Sequence, residues 1–221
     1  MFLQSIKLLK TYLNWKPSYI TYNVSLQRMM CNNSKDNQIV WIDMEMTGLD
    51  IEICHILEIS CVITDSDLKI INEPLNIVIN QSDSILDNMN DWCKEHHKKT
   101  KLIEDVRNSK ISLKDAEQTL LTFLKKYIPR GKCPLAGNSV YMDRLFLNKY
   151  MPLVNDYLHY RIIDVSTIKE LARRWNPQIY NSIPPKTSKH RATSDIIESI
   201  QELIYYKNHI FVSENTEKNL F

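Results

Sequence analysis

The sequence predicts a single α/β domain, a mixed sheet flanked by helices, and three observations carry that prediction. The chain has 221 residues with 43% hydrophobic and 24% charged residues, enough for one full core and close to the average of globular proteins. Three consecutive β-rich runs come first, and helix–strand–helix alternation follows them. That order fits neither a β-sandwich nor a helical bundle.

The first run, Ile39-Val40-Trp41-Ile42, begins just after Gln38. The second covers 56–63 and the third 75–79, with a turn at Asp65-Ser66-Asp67 between them; all are β-rich runs bounded by turn residues. A helix is predicted to begin near Asp91. Another starts at Ser112, where Asp115 three residues on gives capping-box spacing. Its Leu113, Ala116, Leu120, Leu124 and Ile128 recur every three or four residues, and Pro129-Arg130-Gly131 stops it. Pro134-Leu135-Ala136-Gly137 reads as a short buried strand leading into a helix at 142–151, and Arg161-Ile162-Ile163-Asp164 as another leading into 165–175. Residues 176–189, with Pro177, Pro184 and Pro185, read as loop. The last helix, 194–207, is expected to bury Ile196, Ile197, Ile200, Leu203 and Ile204.

Composition excludes several classes. With only Gly48, Gly131 and Gly137, neither G-x-G-x-x-G nor a P-loop can be written. Five cysteines without a C-x-x-C disfavour both a disulfide framework and a cysteine zinc knuckle. No His is followed directly by Asp, so an HD-type phosphohydrolase signature is absent.

Charge is unevenly placed. The first 35 residues hold five of the 28 basic residues and none of the 26 acidic ones, which leaves the body at 23 basic and 26 acidic, a net of −3. Such a body does not suit a protein that tracks long nucleic acid by neutralising phosphates. Any nucleic acid substrate is therefore short or gripped locally. The acid-free beginning suits a mitochondrial transit peptide better than a secretory signal, with an unstructured leader as the alternative. The division expected is leader 1–37, catalytic domain 38–210 and tail 211–221. A start at Met29 or Met30 would omit the leader and give a second, cytoplasmic or nuclear pool. The apolar runs are too broken to span a membrane.

The chemistry concentrates in acids. Asp43 and Glu45 follow the first run directly, and strand alternation projects both to one face. Crowded carboxylates raise one another's pKa unless cations relieve them, and hard Mg²⁺ or Mn²⁺ is the usual guest of a thiolate-free cluster. A solvated strand end is the alternative reading. Asp143 opens one predicted helix and Asp195 another, where the macrodipole alone would accommodate them. His190 lies five residues before Asp195, so the two can face one site only if His190 sits on the loop or first turn.

The order D-x-E, a third Asp about 100 residues on, then H-x-x-x-x-D resembles the DEDD exonucleases of the histidine subtype, whose fold is ribonuclease H-like. Its five active-site residues match Asp43, Glu45, Asp143, His190 and Asp195. The words around them are more specific: Trp41-Ile42-Asp43-Met44-Glu45-Met46-Thr47-Gly48-Leu49, Ala136-Gly137-Asn138-Ser139-Val140, His159-Tyr160-Arg161-Ile162-Ile163-Asp164-Val165-Ser166 and the stretch Ser188, His190-Arg191-Ala192 all resemble the oligoribonuclease family, over about 38–207. The resemblance implies a homodimeric 3′-to-5′ exoribonuclease that cuts short RNA, dinucleotides above all, to 5′-mononucleotides with two divalent cations. It implies that Asp43 bridges both cations, that Glu45 and Asp195 hold the one nearer the attacking water, that Asp143 supports the second partly through water, and that His190 is the general base. Trp92 matches a base-stacking position, although an aromatic in a helix is by default core. Leu49 matches a wedge between bases. Ser139 is carried over as substrate-binding, and Tyr160 as a residue that reaches the 5′ base from the partner chain, with a buried strand tyrosine as its alternative. A DNA-directed trimming or proofreading exonuclease is the runner-up, and a non-catalytic binding scaffold would be expected to have lost one of the five residues.

Two departures from the family are visible. Thr193-Ser194 replaces the common Leu-Asp before the last Asp, and Lys101 stands where Gly is usual. His96-His97 is read as a surface face, not a metal site, because adjacent helical residues diverge and no partner lies at i+4. Trp41 and Trp175 are read as core.

Overall fold

A computed structural model describes residues 35–185 and 191–211. Nearly all of the expected leader, His190 and nearly all of the expected tail lie outside them. The sheet is mixed and five-stranded, in the order β3-β2-β1-β4-β5, with β1 at Ile39–Met46, β2 at Ile56–Thr64, β3 at Leu75–Val78, β4 at Leu135–Gly137 and β5 at Ile162–Asp164. The first three pair antiparallel, while β1–β4 and β4–β5 are parallel.

Nine helices are described: α1 Asp83–Asp87, α2 Asp91–Lys99, α3 Leu102–Asn108, α4 Leu113–Tyr127, α5 Tyr141–Tyr150, α6 Pro152–Asn155, α7 Val165–Trp175, α8 Pro177–Asn181 and α9 Ala192–His209. The predicted cap at Ser112 is present: Ser112 Oγ accepts from the Asp115 N–H at 3.2 Å and donates to the Asp115 carboxylate at 2.6 Å. Part of the expected loop at 176–189 is helical instead. Pro177 occupies the first position of α8, where its missing N–H is an orphan anyway and its fixed φ suits a helix.

The two faces of β1 explain where the site lies. Val40, Ile42 and Met44 pack into one core with Leu120 and Leu124 of α4 and Phe146 and Leu147 of α5. Ile39 and Trp41 face the other way, into a core shared with Val165 of α7 and Ile196, Ile200, Leu203 and Tyr206 of α9. The Trp41 indole donates to Thr64 Oγ1 at 3.1 Å, satisfying a fully buried N–H. Continued along the strand, this second face carries Asp43 and Glu45, and across β2 it carries Ser60 opposite Asp43 and Glu58 opposite Glu45. The face changes from apolar to acidic as it passes beneath the start of α9.

Trp175 departs from its expected place in the core. As the last residue of α7 it is 76% exposed, beyond the reach of the packed stripe that ends at Ala172.

Candidate active site

Asp43, Glu45 and Asp195 converge. Each offers a carboxylate oxygen, and the three oxygens all lie within 4.8 Å of one another. The strand supplies two of them through its alternation, and the first turn of α9 supplies the third. At Asp43 and Glu45 burial and like charge outweigh the nearby positive charge, so the crowding is expressed in proton affinity. Burial, then Asp143, Glu45 and Asp195, push the Asp43 carboxyl well above the usual carboxylate range. Burial, followed by Asp195 and Glu58, raises Glu45 to about 8, with Arg191 pulling the other way. Asp143, on the first turn of α5, is buried and also raised to about 8, chiefly by desolvation, while backbone N–H groups of its own residue and Met44 hold it down. Divalent cations fit this donor set: it is all oxygen, and only positive charge would let every member ionise together.

His97 corrects the sequence reading. It is 2% exposed, not part of a surface face. Its Nε2 pairs with the Met46 carbonyl at 2.9 Å, and its Nδ1 lies 3.8 Å from Glu45 Oε2. A carbonyl can only accept, so Nε2 carries the proton and Nδ1 faces the carboxylate. The adjacent His96 does lie outward, stacked on Trp92 with ring centroids 4.1 Å apart. Nothing in the sequence separates the two histidines except the helical rotation between them.

The expected substrate residues are placed differently from one another. Leu49 is 67% exposed in the turn between β1 and β2. That turn is held by hydrogen bonds between Thr47 and His55 and by the Tyr150 hydroxyl against the Ile51 and Cys54 carbonyls. A Cβ on Gly48 would stand 2.7 Å from Cys54 Sγ, so any larger residue there would force the cysteine side chain to shift. Trp92 is 61% exposed on α2, the helix that brings His97 to Glu45, and is not core. Ser139 has φ +52°, and its N–H donates to Asp164 Oδ1 and Ser166 Oγ. Parallel pairing of β1 with β4 sets that turn at the same end of the sheet as Asp43.

Tyr160 lies elsewhere. Ile162 is level with Leu135 and Leu135 with Val40, so Tyr160 falls beside the start of β1. Five residues of strand, roughly 16 Å at about 3.3 Å each, separate that level from Asp43. It is 72% exposed, not a buried strand tyrosine.

A family model described as Exonuclease (RNase_T) matches residues 40–203. The mitochondrial oligoribonuclease of Homo sapiens is 53% identical over 190 residues, 86% of this chain and 80% of that protein. The chain belongs to the oligoribonuclease family. Its likeness extends to the probable oligoribonuclease of Drosophila melanogaster, 52% identical over 88% of this chain and 92% of that one, and to the bacterial oligoribonuclease of Bordetella pertussis, 48% identical over 80% and 97%. Among solved structures, E. coli exonuclease I with a dA16 oligonucleotide superposes with a TM-score of 0.62 at 14% identity, over 78% of this chain and 41% of that one. That likeness shows the ribonuclease H-like exonuclease fold alone.

The family departures have local accounts. Thr193 is seated by its hydroxyl, 2.8 Å from Ser60 Oγ, so a polar pair stands where an apolar contact would serve. Lys101, between α2 and α3, has φ +62°, the left-handed conformation that glycine adopts without strain.

Proposed function

We propose that this oligoribonuclease-family enzyme hydrolyses short RNA from its 3′ end to 5′-mononucleotides at the Asp43–Glu45–Asp195 centre. The convergence of those three carboxylates carries the reading. In this reading Asp43, Glu45 and Asp195 would hold one cation, and Asp143, together with Asp43, would hold the second. Mg²⁺ or Mn²⁺ bound there would activate water and stabilise the departing oxygen of an in-line displacement. His190, outside the described residues, is the proposed general base; histidine is the side-chain type whose unperturbed pKa suits proton abstraction near neutrality.

The substrate surface follows from exposure. Trp92 and Leu49, both large, apolar and exposed, suit stacking and wedging of bases, with each stacked base contributing roughly 1–3 kcal/mol. The acidic body offers little counterion release for a longer strand. Tyr160, at the other end of its own sheet, can complete such a pocket only from a second copy, which supports a homodimer.

Incubating the protein with a labelled RNA dinucleotide, an RNA 20-mer and a DNA 20-mer, with Mg²⁺ or Mn²⁺ and with EDTA, tests this reading. Dinucleotide should be converted fastest, EDTA should stop cleavage, and Asp43→Asn should abolish it. His190→Ala should lower kcat by about 10²–10⁴-fold. Preferred digestion of the DNA 20-mer, or undiminished turnover by Asp43→Asn, would overturn it.

The mitochondrial names of several relatives and the acid-free first 35 residues support import into mitochondria. A reporter fused to residues 1–37 should enter them, and a chain started at Met30 should stay outside. Diffuse distribution of the first fusion would end that proposal.

A further inference from the structure

At the start of α9, beside the proposed ligands, lies an ion pair that the catalytic scheme does not use. Glu58 is fully buried in β2, where a carboxylate persists only with charge and hydrogen-bond partners. Arg191 supplies most of them: its Nε is 3.1 Å from each Glu58 oxygen and its Nη2 is 2.7 Å from Oε1. The Asn76 amide donates to Oε1 at 2.9 Å, and the Ala192 backbone N–H to Oε2 at 3.2 Å. On its outer side Arg191 is braced by Asp105 at 3.0 Å and by the Thr100 carbonyl at 3.4 Å. One guanidinium thus joins β2, α3, the turn before α3 and the first residue ahead of α9.

Two details give this pair a direction. Arg191 occupies the N-cap position of α9 without a side-chain cap of its own, and the carboxylate that meets the helix N-terminus comes instead from the sheet. A negative group there is favourable to the dipole and satisfies an orphan N–H. In addition, Glu58 stands directly opposite Glu45 in the β1–β2 ladder, while the Asp195 N–H bonds the Arg191 carbonyl one turn further on, at 3.2 Å. The pair therefore fixes the height and rotation of the Asp195 turn against the strands carrying Asp43 and Glu45. A side-chain oxygen about 6 Å from a helix axis moves roughly 1 Å for each 10° of rotation, so small slack would separate the three oxygens.

We propose that Glu58 and Arg191 are positioning residues that clamp the first turn of α9 and hold Asp195 in register with Asp43 and Glu45. The proposal rests on the reading of those three as cation ligands. The clamp also keeps Glu58 occupied, so a further acid on the same face does not compete for the cation.

The test measures Mn²⁺ binding to the full-length protein by calorimetry and electron paramagnetic resonance, beside kcat and KM on an RNA dinucleotide. Glu58→Gln should weaken Mn²⁺ binding and lower kcat by about 10–100-fold, the usual range for groups that orient ligands, with KM changed less than threefold. Arg191→Lys, which keeps the charge but loses the fork, should fall between Glu58→Gln and the unaltered protein. Ile200→Val, further along the same helix, should lower Tm without moving Mn²⁺ affinity, which separates positioning from general loss of stability. Wild-type Mn²⁺ affinity in Glu58→Gln and Arg191→Lys would overturn the clamp. If Asp195→Asn also left Mn²⁺ binding unchanged, the ligand reading itself would fall; loss in Asp195→Asn with no loss in the clamp variants would sink the clamp alone.

Discussion

Glu45 shows how much one residue's surroundings decide. The sequence leaves a solvated strand end open as the alternative for this glutamate, yet burial and the facing Asp195 and Glu58 raise its carboxyl to about 8. An unfolded chain releases that proton near its ordinary value of 4.5, so between roughly pH 4.5 and 8 the folded protein holds a proton that the unfolded chain has lost. Stability without divalent cations should therefore fall as pH rises through this window and level off above it. Asp143, also raised to about 8, adds to the same slope. Thermal melts in EDTA should show Tm lower at pH 8 than at pH 5, and Mg²⁺ should raise Tm more at pH 8. Glu45→Gln should stabilise the cation-free protein at pH 8 by on the order of 1–3 kcal/mol while removing activity; a flat Tm profile in EDTA would contradict this account.

At the scale of elements, the legible parts are those with strong periodicity. The stripe from Ala116 to Leu124 and the cap at Ser112 are where the spacing puts them, because α4 has one face to bury and one end to satisfy. Short helices were harder to read: α6 and α8 each begin at a proline and run only four and five residues, too few for a period to show. The left-handed Lys101 is a strain point between α2 and α3. Lys101→Gly should raise stability by about 0.5–1 kcal/mol, since a side chain in that conformation costs about 1–2 kcal/mol and glycine's freedom in the unfolded chain offsets only part of it. Chemical denaturation measures this directly, and an unchanged or lowered midpoint would show that the turn relaxes around the lysine.

For the whole molecule, the position of Tyr160 is the informative feature. It lies at the opposite end of the sheet from the acids of its own chain, exposed, with the Arg161 guanidinium 5.3 Å from its ring centroid. Tyr160→Ala should leave the oligomeric state and Mn²⁺ binding intact, reduce dinucleotide turnover strongly, and flatten the preference for two nucleotides over five or more. Sedimentation and a length series of RNA substrates read both properties. Equal loss at every length, or a fully active monomer, would rule out a pocket shared between copies.

The sequence by itself determined the mixed sheet, the cap at Ser112 and the common face of Asp43 and Glu45, because alternation along a strand and rotation along a helix are local rules that a linear pattern records. It also determined the family, through the words around those acids. Only the tertiary structure decided which neighbours share a volume. His97 turns inward to Glu45 while His96 turns out onto Trp92, Trp175 leaves the core, and Glu58, 133 residues before Arg191, caps the helix that carries Asp195. These depend on how β2, α2, α3 and α9 pack together, and contacts between segments so distant in sequence leave no period in it.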